Sequence, residues 1–322
     1  MTPSPTARRA ATGRQHELRR GGAVVVVTEL AAGLRSYARN GVALTETYGD
    51  GQIPPGATGI TLAPWANRIE DGRWTLDGKV QQLDITEPKF GHASHGLLRN
   101  TGYSVLEQTE SAVALEAVVF PQHGYPFLLR HRVDYALGSD GGLSVTQTLA
   151  NDSAASAPYV LGAHPYLRIG DVPTEELTLT VSGRTRLIAD QRLIPRSSEP
   201  VSGGTDLRGG QPVSSLALDS GYTDLAFEDA ADDTPGGPRE AHAPRVARAT
   251  LAAADGRRVW MWQEQTCPYT HVFVTDTFPG RPAAVALEPM SGAANAFNSG
   301  AGLGWLEPGA SASIRWGIGS EL

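Results

Sequence analysis

The chain has little of what usually signals a familiar site chemistry. It contains one cysteine, Cys267, among 322 residues. No intrachain disulfide can therefore form, and a lone thiol fits a reducing compartment and a buried, inert side chain. Basic clusters are missing: the net charge is −7 and is spread along the sequence. That argues against nucleic acid and against an anionic membrane surface as partners. No apolar run is long enough to cross a bilayer, Ala23 to Val27 being only the length of a strand. Met1 to Arg20 carries arginines but no apolar signal-peptide core, so a soluble, cytoplasmic protein is expected. A phosphate cradle is lacking too, because Ser202-Gly203-Gly204 leads into neither a helix nor a lysine.

Helical periodicity of useful length is equally scarce, whereas strand signals recur throughout. Asp77-Gly78 separates Trp74 to Leu76 from Val80 to Leu83, a two-residue hairpin signal between alternating runs. Ser104 to Gln108 and Ala112 to Val119 form a second pair. His131 to Leu137 and Leu143 to Leu149 flank a glycine-rich turn, and Leu177 to Val181 and Arg184 to Ile188 bracket Ser182-Gly183. Arg257 to Trp262, Thr270 to Val274, Ala283 to Leu287 and Ala312 to Ile318 complete the series. Many short strands joined by Gly- and Pro-rich turns predict an all-β fold, a large antiparallel sandwich. Residues 1–20 read as a mobile tail and 21–322 as a single domain, with Glu228 to Arg245 an exposed loop inserted in it. Trp260 and Trp262, at alternate positions, share a sheet face and suit core packing.

Four places carry residues that can do chemistry. Leu161-Gly-Ala-His-Pro-Tyr-Leu167 and Val285-Ala-Leu-Glu-Pro-Met290 each set a titratable residue, His164 and Glu288, beside a proline at the edge of a strand-like run. A proline there interrupts pairing and presents the preceding side chain at a rim. Histidine and glutamate can exchange protons near neutral pH once their surroundings move their pKa values apart. The alternative for Glu288 is an ion pair with Arg281. Pro64-Trp65-Ala66-Asn67-Arg68 offers donors beside an aromatic ring, suited to a polyhydroxylated ligand, or a surface turn in which Arg68 pairs with Glu70 or Asp71. Gly91-His-Ala-Ser-His-Gly96 places His95 beside glycine, open to a ligand, and His92 in a structural position. No Cys, His or Glu completes a metal-binding spacing around them, and no metal is expected. Asp224 can bind hydroxyls or cap a turn. No Ser, Cys or Thr nucleophile accompanies His164.

In this order, Asn67-Arg68-Ile69, His95-Gly96, His164-Pro165-Tyr166, Asp224, Glu288-Pro289 and Asn295-Ala296-Phe297 resemble the aldose 1-epimerase (mutarotase) family over roughly Gly21 to Gly317. The resemblance implies a β-sandwich that interconverts the α and β anomers of a free monosaccharide without cofactor or metal. It implies Glu288 as general base on the anomeric hydroxyl and His164 as general acid at the ring oxygen. Asn67, Arg68, His95 and Asp224 would hold the sugar. Many members have two glycines after the first histidine, where this chain has Gly96-Leu97, and Met290-Ser291-Gly292 replaces a glutamine-centred pattern. Gln122 to Pro126 and His164 to Leu167 look more like a bacterial branch that includes a sulfosugar mutarotase. Competing readings are a sugar-binding module using Trp65 or Phe297 without turnover, and an epimerase of a hexose phosphate or sulfosugar, although Arg68 with Arg99 is too little to make the cationic cluster that a phosphate needs. Oligomeric state is not written in the sequence.

Overall fold

Residues 9–229 and 245–322 are described by the computed structural model of the chain. Their regular structure is almost entirely antiparallel strand, with short 3-10 turns and a single four-residue α-helix, Ala296–Ser299. No helix is long and apolar enough to cross a membrane among the described residues.

Period-two burial builds the sheets. In Leu129–Leu137 alternate residues are fully buried and the others reach toward solvent, as expected of a strand with one face on a core. This strand pairs with Leu143–Asn151, which pairs with Ser311–Glu321 and then Arg258–Glu264, within a ten-stranded sheet. An eight-stranded sheet carries Asp219–Thr223, Tyr269–Thr275 and Ala284–Met290 side by side. One contiguous apolar cluster joins Val133, Val145 and Trp316 of the first sheet to Val272, Val285 and Leu287 of the second, and the fold is a large antiparallel β-sandwich. Ala284–Met290 differs from the alternating strands in being buried at every position: one face meets the core and the other the floor of a cavity.

Several expectations need correction. Gln15–Arg20, assigned to a tail, is a strand paired in full with Ala23–Thr28. Only His16 and Leu18 of its six residues are buried, so its charged outer face hides the alternation. Ser182-Gly183 joins no hairpin, because Thr178–Val181 belongs to the ten-stranded sheet and Thr185–Ala189 to the eight-stranded one. Trp260 and Trp262 do share a face, the one turned away from the main apolar cluster; Trp262 is fully buried there beneath Arg315, as expected of core packing, whereas Trp260 is only partly covered, by Arg248. Gly317 makes this possible, since a Cβ there would come within 2.5 Å of the Trp262 ring. Of the expected loop at 228–245, residues 230–244 lie outside the described residues; Glu228–Asp229 pairs with Arg245–Val246 at its base.

His131 sits in the core without solvent contact, its Nδ1 2.7 Å from the Tyr103 hydroxyl. Burial lowers its pKa from 6.5 to about 4. Below pH 6.5 the unfolded chain takes up a proton that the folded chain refuses, so acidification destabilises the fold. This group alone should remove about 3 kcal/mol between pH 6.5 and 4. Urea denaturation across that range should show the loss, and His131→Gln should flatten it; an unchanged slope in the variant would exclude His131 as the cause.

Candidate active site

The hydrogen-bond ladder around Glu288 is complete on one side and broken on the other. Glu288 lies directly opposite His271 in the Tyr269–Thr275 strand. On its other side Gly162–Ala163 pairs near Met290 and Tyr166–Leu167 pairs at Ala286 and Val285, leaving His164-Pro165 between them. The amide of Leu287 donates to Pro165 and that of Ser291 to Leu161. By strand alternation, the residue midway between them also faces this side. That residue is Pro289, which has no N–H to leave unpaired. The proline thus does not end the strand, as expected from sequence, but fits the gap in which His164 sits. Glu288 is accordingly in mid-strand and 1% exposed.

In the gap, His164 Nε2 is 3.3 Å from Glu288 Oε1. The His164 ring stacks on Tyr166 and meets His95 edge to face, with centroids 5.2 and 5.3 Å away. His95 reaches this place through backbone that few residues tolerate. Its φ is +63° and that of Asn67 is +57°, a left-handed conformation for which Asn and His are enriched. The His95 amide donates to the Asn67 carbonyl, and Arg68–Ile69 pairs with Ala93–Ser94. Gly96 closes the arrangement: its φ is +77°, and a Cβ there would lie 2.0 Å from the Ala63 carbonyl oxygen.

Asn67, Arg68, His95, His164 and Glu288 all line one cavity of about 420 Å³. Asp224 does not. It sits just past the Asp219–Thr223 strand with φ +53°, and its carboxylate accepts the Thr185 hydroxyl. The aspartate in the cavity is Asp219. Arg68 pairs with Glu87 through two bonds of 2.8 and 3.0 Å and with Asp219 at 3.4 Å, not with Glu70 or Asp71. Arg281 binds Glu46 at 2.9 Å and leaves Glu288 alone. His92 is buried with both ring nitrogens engaged, one by the Asp71 amide and one by the Arg192 carbonyl. Trp65 and Phe297 pack with Trp74 and Tyr125 in a buried aromatic cluster, so neither offers a platform to a ligand. Asn295, at φ +60°, holds the arginine loop in place by accepting the Glu70 amide and donating its own to Arg68.

Sequence reasoning missed Asp219, Glu87 and His271. His271 Nε2 is 2.7 Å from Asp219 Oδ1. The one available signal was a histidine in an otherwise apolar, alternating strand.

The charges sort by environment. Burial, followed by repulsion from His164, holds the pKa of His95 well below its ordinary value. Burial likewise lowers that of His164, although the Glu288 carboxylate opposes it. At His271 burial also works against the charge, but Glu288 and then Asp219 outweigh it and the pKa is raised. Asp219 falls far below the carboxylate range, its burial overcome by His271 and Arg68. Three buried polar atoms of the wall, His95 Nδ1, His164 Nδ1 and Glu288 Oε2, have no hydrogen-bond partner in the described residues. Buried polar atoms are otherwise almost always satisfied, and a hydroxyl-rich ligand supplies such partners.

The chain is thus an antiparallel sandwich with a buried imidazole–carboxylate pair in the wall of a cavity of about 420 Å³. The chain matches the sequence profile of aldose 1-epimerase over residues 14–318, and it belongs to that family. It is 28% identical over 298 residues to Uncharacterized protein YihR of Escherichia coli (strain K12), covering 92% of this chain and 90% of the relative. A galactose mutarotase-like protein from Clostridium acetobutylicum has the same fold, with a TM-score of 0.80 at 19% identity over 95% of this chain and 94% of that one. Galactose 1-epimerase from Lactobacillus acidophilus NCFM does too, with a TM-score of 0.74 at 16% identity over 98% and 97%.

Gly96→Ala should lower stability by roughly 2–4 kcal/mol, because a left-handed φ and a backbone clash coincide. Gly209→Ala, with open space around it, is the control. Equal midpoints in urea for the two variants would show that the Gly96 contact with Ala63 does not constrain the loop.

Proposed function

We propose that the protein is an aldose 1-epimerase that opens and recloses the ring of a free aldose, with Glu288 and His164 as its proton-transfer pair. The reading rests on one observation, the 3.3 Å approach of these two buried side chains in the cavity wall. The two side chains are direct neighbours in the cavity wall and do not face each other across it. Neighbours suit the chemistry, since the anomeric hydroxyl and the ring oxygen are bonded to the same carbon.

Glu288 removes the proton from O1. The C1–O5 bond breaks as C1=O1 forms, and its electron pair goes to O5, which takes a proton from His164. The aldehyde turns about C1–C2. O5 then attacks the other face of C1 and returns its proton to His164, while O1 recovers one from Glu288. Each positioned proton transfer contributes roughly 10²–10⁴-fold. Asn67, Arg68 and His95 bind hydroxyls around the reacting carbon, and Asp219 takes the place expected of Asp224.

Polarimetry from freshly dissolved α-glucose or α-galactose tests this. Glu288→Gln should abolish nearly all enzymatic mutarotation with the fold intact, and His164→Ala should lose roughly 10²–10⁴-fold. Wild-type rates in either variant would remove that residue from the mechanism. A wild type that binds sugar but transfers no saturation between anomers by NMR would be a binding module.

A second reading concerns substrate choice. Arg99 lines the cavity and forms no ion pair among the described residues; it donates to the Ser94 carbonyl at 3.2 Å. Glu87, whose charge acts on it, is already held by Arg68. An unpaired guanidinium at that wall favours an aldose with an acidic substituent, a sulfonate, phosphate or carboxylate. Arg99→Gln should raise KM for such a sugar by roughly 10–100-fold and leave neutral hexoses unaffected. Equal effects on both would exclude Arg99 as an anion contact.

A further inference from the structure

Beside the pair just described stands a second imidazole–carboxylate couple, His271 with Asp219, that the proton-transfer scheme does not use. His271 and Glu288 are directly opposite on adjacent strands. Such residues project from the same face with Cβ atoms roughly 4.5–5.5 Å apart, and both line the cavity. An oxygen that gives its proton to Glu288 is therefore within reach of the His271 ring. That ring is fixed from behind: Nε2 is bonded to Asp219 at 2.7 Å, and Asp219 is in turn anchored by Arg68. Nδ1 makes no hydrogen bond to the protein among the described residues, so it remains for a ligand.

We infer that His271 is a further catalytic residue of the same reaction: oriented by Asp219, it donates its Nδ1–H to the sugar oxygen that Glu288 deprotonates. The inference rests on the epimerase reading and adds to it a standing positive donor for the charge that gathers on O1 as its proton leaves. Donors aimed at developing charge in a water-poor site are among the strongest catalytic devices. The electrostatics of the wall agree. Burial discourages a proton on His95 and His164, whereas Glu288 across the ladder and Asp219 behind hold one on His271. The charged and titratable groups acting on it are Glu288, Asp219, Arg68, His164 and His95; only the two carboxylates favour its charge, and they prevail.

The test is the pH profile of anomerisation in wild type, His271→Gln and Asp219→Asn. His271→Gln keeps a polar donor without a charge, and should lower kcat on the order of 10²-fold with KM little changed. Wild-type kcat/KM should fall on the alkaline side as His271 loses its proton, above the ordinary histidine value of 6.5. The part of that fall set by His271 should vanish in His271→Gln, leaving the part that His164 imposes as proton donor, and should move to lower pH in Asp219→Asn, where the supporting carboxylate is gone. A purely structural histidine would alter the rate without altering the limb. Wild-type rate and profile in His271→Gln would overturn the inference while leaving the epimerase reading intact. A wild type inactive on every aldose would remove both. If His271→Gln does not fold, imidazole ¹⁵N shifts of the wild type at pH 7 decide: a neutral His271 ring contradicts the inference, and a doubly protonated one, perturbed by added sugar, supports it.

Discussion

Pro289 has no amide hydrogen to donate, and it stands where the neighbouring chain leaves the ladder at His164-Pro165. A regular strand at that point would leave a buried N–H without a partner, at a cost of about 1–3 kcal/mol. Proline removes the donor and with it the penalty, so the Ala284–Met290 strand can run on while its neighbour bends away. The bend gives His164 its position, and the continuity gives Glu288 its own. Each depends on the other: the gap is tolerable because of the proline, and the proline is tolerable in mid-sheet because of the gap.

Around that defect the protein sets ionisable groups out of water and must compensate them. It does so by linking them. Glu87 holds Arg68, Arg68 reaches Asp219, Asp219 holds His271, and His271 faces Glu288. Signs alternate along this series, so each of these five charges has an opposite neighbour, which is the condition under which such groups persist in a low-dielectric setting. The same burial that would be costly for isolated charges distinguishes three otherwise similar imidazoles. Burial holds the pKa of His95 and His164 down, with Glu288 opposing it at His164, whereas at His271 Glu288 and Asp219 together outweigh burial and raise it.

The fold was largely legible because turns and alternation are local. The hairpin at Asp77-Gly78 and the strands 104–108, 112–119 and 143–149 follow from adjacent residues and agree with the pairings observed. Gln15–Arg20 was not legible, since its charged face masks two inward residues. Sheet membership on either side of Ser182-Gly183 depends on distant partners, and no local pattern encodes it. Within the site, residues marked by proline, glycine or a resembling motif were found. Asp219 and His271 were not, because their meaning arises only when two strands remote in sequence become neighbours. Asp224 drew attention through a turn-like setting that in fact uses its carboxylate locally, on Thr185.

The cavity combines two kinds of support with different mechanical character. Glu288, His271 and Asp219 rise from adjacent strands whose backbones are fixed by ladder bonds, so their separation is set by the sheet. Asn67, His95 and Asn295 sit at left-handed φ in loops, where such strain persists only if the surroundings over-determine it. Here they do: the Asn295 amide binds the Arg68 carbonyl, the His95 amide binds that of Asn67, and Gly96 bridges Ala63. Loop residues tied together this way behave as an extension of the sheet. The proposed reaction, two proton transfers around a single carbon, needs such stiffness, because proton transfer demands donor and acceptor within hydrogen-bond reach. The polar loops can then vary in what they offer a ligand without disturbing the carboxylate and imidazoles of the wall.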